Sequence, residues 1–412
     1  MVKKRIFATA SILFVTLVAI FIATNVDDKG NLLDEPQKNS VTVYKNKVEY
    51  DELPADCIEL LNDKYAICKK VVNLEPDSTF QYTESKETSY LYNIKTGERK
   101  LIGEGSSSSV ALKHIIQNNN IFWIEQQINK KENSGKWAIK EYSIGSEEIK
   151  AIDEGSFEDF TNYSYEDIDF SNEGMLFPIN MDVSGNKLVY HRVVEAEKKL
   201  KFEVVLYDII TGDKEIIASG EDYVNEYYYD VAINDNYVVY NKYHEKNNDN
   251  SLRDTTYKYC DLYAYNITTK QKKEITKNDF LINLDINDEY FLAVRVPENE
   301  KEQKSFARMQ IVMMDIGDLN EKIVLNYKSP IYKNKEDLQI GNPTFMGGYI
   351  VWQDNSTVEH MYIYDYRKEC FVKIPTPNSE SDFSIVGVKE NSLMVLELKK
   401  NGMDSLYRVI IK

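Results

Sequence analysis

A twelve-residue pattern that recurs six times constrains this chain more than any other feature of it. Leu91–Ile102 reads LYNIKTGERKLI, Glu141–Ile152 EYSIGSEEIKAI and Leu206–Ile217 LYDIITGDKEII. Ala264–Ile275 reads AYNITTKQKKEI, Met313–Val324 MMDIGDLNEKIV and Ile363–Ile374 IYDYRKECFVKI. The third position is always Asn, Asp or Ser: Asn93, Ser143, Asp208, Asn266, Asp315 and Asp365. Short polar side chains of this kind bond the backbone two residues on, so each copy reads as strand, turn, strand. Thr96-Gly97 and Thr211-Gly212 add the glycine that such hairpins favour.

A second element precedes each copy, as NDKYAIC from 62, NNNIFWI from 118, SGNKLVY from 184, NDNYVVY from 234, NDEYFLA from 287 and MGGYIVW from 346, and ENSLMVL follows from 390. Each is a polar or Gly turn feeding a run of β-branched and aromatic residues, the mark of a mostly buried strand. Successive copies lie 56, 66, 50, 53, 59 and 44 residues apart. A unit of about 45–65 residues with a hairpin at each end is a four-stranded propeller blade.

The chain is therefore expected to be all-β, a β-propeller of seven four-stranded blades over residues 41–412. The seventh element is followed only by Leu406–Ile411, which leaves that blade one strand short. Val41–Tyr50 alternates and precedes the first blade, so an N-terminal strand is expected to fill the gap and close the ring. A six-bladed ring with an extra hairpin is the alternative.

The pairing of a turn-strand element with an LY-D-I-x-T-G-x-x-K-x-I hairpin resembles the TolB-type propeller, a repeat also found in the propellers of prolyl oligopeptidase and dipeptidyl peptidase enzymes. The resemblance covers roughly residues 41–412. It departs where that repeat has a Pro-Asp-Gly turn, here Asn62-Asp63-Lys64, Ser184-Gly185-Asn186 or Asn234-Asp235-Asn236. It implies architecture and no activity, because those peptidases carry a separate catalytic domain and this chain ends inside its last blade.

Ahead of the repeats, Lys3, Lys4 and Arg5 precede Ile6–Thr24, nineteen residues with neither charge nor proline, and Asp27 and Asp28 follow. As a helix this stretch is about 28 Å long, enough to cross a bilayer, and its flanks place the rest outside the cytoplasm. Residues 1–26 are thus read as a single-pass cell-membrane anchor or uncleaved signal, and 27–40 as a polar linker. A cleaved signal and a secreted protein is the alternative, disfavoured by the poor cleavage site at Ile22-Ala23-Thr24-Asn25. A formal charge of −17 with no basic block beyond the N-terminus argues against nucleic acid as a partner.

Long, variable connections are expected on one face, at Asn73–Thr88, Asp153–Asn180 and Tyr243–Tyr259. The second is the most acidic stretch of the chain, and its Asp159, Glu166, Asp167 and Asp169 are the first candidates for a ligand. Such carboxylates could hold Ca²⁺ or a cationic partner, although the spacing is not that of an EF-hand and a solvated acidic loop is the plainer reading. Tyr227 and Tyr228 are candidates for a glycan or peptide surface, against the alternative of blade packing. Cys57 and Cys68 fall on neighbouring strands of the first blade and form either a disulfide or two buried thiols. No HExxH, CxxC, P-loop, GxGxxG or GxSxG is present. The expectation is a non-catalytic binding or scaffold module for a protein, peptide or glycan, without a cofactor. The alternatives are a carbohydrate-active lyase or glycoside hydrolase with carboxylates in the propeller funnel, and a structural subunit of an envelope complex.

Overall fold

A computed structural model describes residues 40–46, 48–73, 85–106, 109–129, 134–157, 180–196, 199–220, 226–244, 259–277, 279–295, 309–332, 340–354, 361–376, 381–389, 391–399 and 404–411. Seven sheets stand in a ring. Blade 1 is Cys57–Leu60, Tyr65–Asn73, Ser85–Asn93 and Arg99–Ser106, and blade 2 is Ser109–Gln117, Asn120–Asn129, Ser134–Ser143 and Ile149–Phe157. Blade 3 is Met181–Ser184, Lys187–Ala196, Lys199–Asp208 and Lys214–Ser219, and blade 4 is Glu226–Ile233, Tyr237–His244, Tyr259–Asn266 and Lys272–Glu274. Blade 5 is Leu281–Ile286, Tyr290–Arg295, Gln310–Asp315 and Glu321–Leu325. Blade 6 is Ile340–Met346, Tyr349–Asp354, Met361–Asp365 and Cys370–Ile374, and blade 7 begins with Asp382–Lys389, Ser392–Leu398 and Ser405–Ile411. Every blade is an antiparallel meander, and the first strands of successive blades pack against one another around the axis.

The ring is closed as expected, with one change. Val48–Leu53 supplies the outer strand of blade 7, in register from Val48 opposite Ile411 to Leu53 opposite Leu406. Val41–Val43 is not part of that strand. It lies parallel to Cys370–Ile374 as a fifth strand on blade 6, Val41 opposite Phe371. The stretch read as one strand therefore clasps two blades. Arg408 secures the closure, its Nε donating to Asp51 Oδ2 at 3.1 Å across the ladder and its Nη1 to the Asp63 carbonyl in the first turn of blade 1.

The polar turn residues act as the sequence implies. Oδ1 of Asn62, Asn234 and Asn287 accepts the backbone N–H groups two and three residues on, at 2.7–2.9 Å. Asn93, Asp208, Asn266 and Asp315 do the same in the second hairpin. The seventh residue of that hairpin has positive φ in all six copies: Gly97 (74°), Glu147 (63°), Gly212 (80°), Lys270 (57°), Leu319 (61°) and Glu369 (54°). Only glycine adopts this conformation without a steric cost. Three of the four other residues reach the preceding blade, as Glu147–Lys100 (2.6 Å), Lys270–Glu215 (3.0 Å) and Glu369–Lys322 (2.6 Å).

Between the blades lies a core whose largest fully buried side chains include Phe122, Tyr190, Phe202, Tyr240, Phe291 and Phe371. Burying each Phe contributes roughly 1.5–3 kcal/mol. Gly155 is required where the Trp137 ring crosses its strand, since a Cβ there would lie 2.5 Å from the indole nitrogen.

The apolar segment Ile6–Thr24 and the linker through residue 39 lie outside the described residues. No helix among the described residues is long and apolar enough to cross a membrane.

Candidate functional site

Strand direction alternates within a blade, so the Asx turns all fall on one face. The strand ends that bound the long connections 74–84, 158–180, 245–258, 296–309 and 326–339 fall on the other. Asp153, read as the start of a long loop, is instead in the outer strand of blade 2, which runs on to Phe157. Ser85–Thr88 and Tyr243–His244 are likewise strand rather than loop. Asp159, Glu166, Asp167 and Asp169 lie outside the described residues. Tyr227 and Tyr228 open the inner strand of blade 4 at the long-connection face, paired in register with Tyr243 and Lys242.

The wall of the axial channel is where the structure gathers polar groups. Six of the seven inner strands slip register against their neighbours: at Cys57/Glu59, Leu112/Ile115, Tyr228/Val231, Ile282/Asp285, Gly341/Thr344 and Ile385/Gly387. Lys113, Asn283 and Asn342, inside three of these bulges, have φ of 43°, 54° and 44°. A bulge takes residues out of the ladder and re-aims their side chains and N–H groups. Four N–H groups of these bulged strands, those of His114 and Asn283 inside the bulges and of Ile233 and Phe345 beyond them, are met by carboxylates from the blade before.

Glu59 of blade 1 accepts from His114 of blade 2 through the backbone N–H (3.0 Å) and meets its Nδ1 at 2.9 Å. Asp182 of blade 3 accepts the Ile233 N–H of blade 4 at 2.9 Å. Asp230 of blade 4 accepts the Asn283 N–H of blade 5 at 2.6 Å and the side chains of Asn180 (2.9 Å) and Asn241 (3.3 Å). Asp285 of blade 5 accepts the Phe345 N–H of blade 6 at 2.7 Å. Between blades 6 and 7 an amide takes over, Gln353 Nε2 donating to the Val386 carbonyl at 2.9 Å. Four carboxylates thus line one axis and hitch inner strand to inner strand.

Their protonation differs with their surroundings. Burial pushes Asp285 up to about 7, and the charge of Asp182 adds to it, against the Phe345 and Ile286 N–H groups and Lys389. Burial also raises Asp230, outweighing its hydrogen bonds and Lys113. Burial would raise Glu59 too, but hydrogen bonds and charge from His114, aided by Lys113, hold it below its ordinary range. Burial thus favours the protonated form at Asp285 and Asp230, while His114 favours the ionised form at Glu59.

Asp153 has a different task. Its carboxylate accepts Tyr190 Oη (2.8 Å) and Arg192 Nη1 (2.8 Å) on one oxygen and Lys214 Nζ (2.7 Å) on the other, joining blade 2 to blade 3. Cys57 and Cys68 stand opposite each other in blade 1 and are joined by a disulfide. Cys260 and Cys370 are buried free thiols.

The channel carboxylates were not singled out by sequence reasoning. The available signal was position: Asp182 and Asp285 each stand two residues ahead of a turn residue, Ser184 and Asn287.

No family model and no curated protein matches the chain. Among solved structures it is similar to the propeller domain of the Trilobed protease from Pyrococcus furiosus, with 13% identity, TM-score 0.51, and 84% of this chain and 90% of that one covered. It is also similar to the acylaminoacyl peptidase of Pyrococcus horikoshii, with 14% identity, TM-score 0.52, and 84% of this chain covered but only 50% of the peptidase. TolB from Acinetobacter baumannii aligns over 84% of this chain and 80% of its own, at 12% identity and TM-score 0.36, too low to carry an argument. The archaeal protease propeller is described as having an open velcro topology, whereas the present ring is closed by its N-terminal strand. At these identities the likeness is one of fold alone, and the fold is a seven-bladed β-propeller.

Proposed function

We propose that this protein is a membrane-tethered, extracytoplasmic binding module that takes a protein, peptide or glycan on its long-connection face without transforming it. The observation that supports the reading is the division of the ring: the Asx turns lie at one face, while the strand ends that bound every connection longer than ten residues lie at the other. Ligands that bring a positive charge suit the protein best, given its net charge of −17. In this reading Tyr227 and Tyr228 stand at the mouth, and Asp159, Glu166, Asp167 and Asp169 belong to the connection beside it.

The test is co-purification of the full chain from its native membrane beside two variants. One replaces residues 158–179 by a short Gly-Ser linker; the other replaces the turn residues Lys95, Thr96 and Glu98 on the opposite face by Ala. A partner kept by the second variant and lost by the first supports the reading. A partner lost by the turn variant alone contradicts it.

A second reading, a carbohydrate-active enzyme, is favoured by one observation: Asp285, held near pH 7, feels the charge of Asp182 across the inner strand of blade 4. Against it, both carboxylates already accept a backbone N–H. Turnover of an acidic oligosaccharide that Asp285→Asn abolishes while the chain stays folded would establish it.

A further inference from the structure

Asp56, Cys57 and Cys68 present a carboxylate oxygen and two sulfurs that all lie within 4.8 Å of one another, the one such group of metal-ligating atoms among the described residues. We propose that the Cys57–Cys68 disulfide and a divalent zinc ion are alternative occupants of this place, the metal binding when the disulfide is reduced.

The scaffold around the three ligands is fixed before any metal arrives. The Cys57 N–H donates to the Pro54 carbonyl at 3.0 Å, and the Lys69 N–H to the Asp56 carbonyl at 2.8 Å, which ties the turn to the neighbouring strand. Cys57 is directly opposite Cys68 in the ladder. Ligands of a tetrahedral zinc, at Zn–S of about 2.3 Å and Zn–O of about 2.0 Å, lie about 3.5–3.8 Å apart. The reduced sulfurs need only separate from bonding distance to that spacing. Both Cys residues are buried, while a third of the Asp56 side chain is exposed, so metal and a fourth, solvent ligand arrive from the Asp56 side.

Charge favours the same occupant. Two thiolates and a carboxylate carry three negative charges, zinc returns two, and the remaining one faces Arg99. That guanidinium already grips Asp56 with Nη1 to Oδ2 at 2.6 Å and Nη2 to Oδ1 at 2.8 Å. A carboxylate oxygen has a further lone pair, so Asp56 can ligate without releasing Arg99, which then orients the ligand from behind. Thiolates select zinc over calcium or magnesium.

The chemistry balances. A dithiol passes two electrons and two protons to the Cys57–Cys68 bond and becomes a disulfide itself. The two thiols formed then lose their protons to solvent as the metal binds.

The test uses the full chain, oxidised or reduced with a phosphine, in a Cys260→Ala, Cys370→Ala background that removes the other thiols. Co²⁺ is the probe, because its thiolate charge-transfer band and tetrahedral visible spectrum report ligand type and geometry, and circular dichroism follows the fold. The expected result is one Co²⁺ per reduced chain with both bands, displaced by Zn²⁺, and none in the oxidised chain. Cys68→Ser should remove the charge-transfer band, and Arg99→Ala should weaken binding at least about tenfold. Equal binding to oxidised and reduced chains, binding without a charge-transfer band, or a reduced chain that stays folded and binds nothing would each overturn the proposal. So would a chain that unfolds on reduction and does not refold with zinc.

Discussion

Asp153→Ala tests whether the blades are held by specific polar nodes as well as by apolar packing. The side chain is 8% exposed and takes three hydrogen bonds from blade 3, from Tyr190, Arg192 and Lys214. Removing it strands the hydroxyl of Tyr190, which is fully buried, at a cost of about 1–3 kcal/mol. Arg192 keeps Glu203 at 2.8 Å, so its loss is partial, and Lys214, a third exposed, recovers most of its hydration and adds less than about 1 kcal/mol. The sum is a destabilisation of about 3 kcal/mol, within the range for breaking a buried pair by removing one partner. Urea unfolding followed by tryptophan fluorescence and by circular dichroism measures it. Burial works against ionisation of Asp153, but Lys214, Tyr190 and Arg192 outweigh it and hold the carboxyl below its ordinary range. Its stabilisation is therefore present above the ordinary carboxylate pKa and is lost as pH falls through the depressed value. The gap between wild type and variant should close toward acid. A loss under about 1 kcal/mol at neutral pH, or a gap that widens with acid, would refute the reasoning.

Asp285 titrates in the opposite sense: raised from 3.8 to about 7, it contributes stability that is full below pH 4 and lost as pH rises through 7. Unfolding free energy should fall across that window in wild type, and Asp285→Asn should flatten the slope. Arg408→Ala removes the bonds to Asp51 and the Asp63 carbonyl at the clasp, and should destabilise by about 2–4 kcal/mol, with faster hydrogen exchange in Val48–Leu53 as the check. Lys270→Gly relieves a left-handed residue at the expense of an exposed pair with Glu215; in high salt, where that pair is screened, it should raise stability by about 0.5–1 kcal/mol in thermal unfolding. Reducing Cys57–Cys68, whose cysteines are 11 apart in sequence, should cost up to about 3 kcal/mol by chain entropy, read from the urea midpoint without metal.

The architecture was legible because its signal is local. An Asx side chain at Asn62, Asn93 or Asp208 bonds backbone two or three residues away, so the residue type itself marks the turn. The N-terminal strand was legible as closure but not as two pieces. Val41 and Val43 alternate as Val48 and Tyr50 do, but in the opposite phase, and they lie 46% and 60% exposed on the edge of blade 6. Alternation reports a strand and not its partner. The channel was hidden for a related reason. Glu59, Asp230 and Asp285 stand at register slips that carry no residue signature, Asp182 on a strand without one, and the backbone partners of all four are 51 to 60 residues on, in the next blade. Asp153 looked like a loop acid because its cations, Arg192 and Lys214, are 39 and 61 residues away.

The central claim is that the face carrying the long connections is the one that binds. Hydrogen exchange of the full chain, alone and bound to the partner recovered by co-purification, tests it most directly. Protection is expected at the strand ends beside the long connections, among them Glu226–Tyr228 and Tyr259–Asp261, with the turns Asn93–Glu98 and Asp208–Asp213 unchanged. Protection confined to those turns, with the long-connection face exchanging as before, would contradict it.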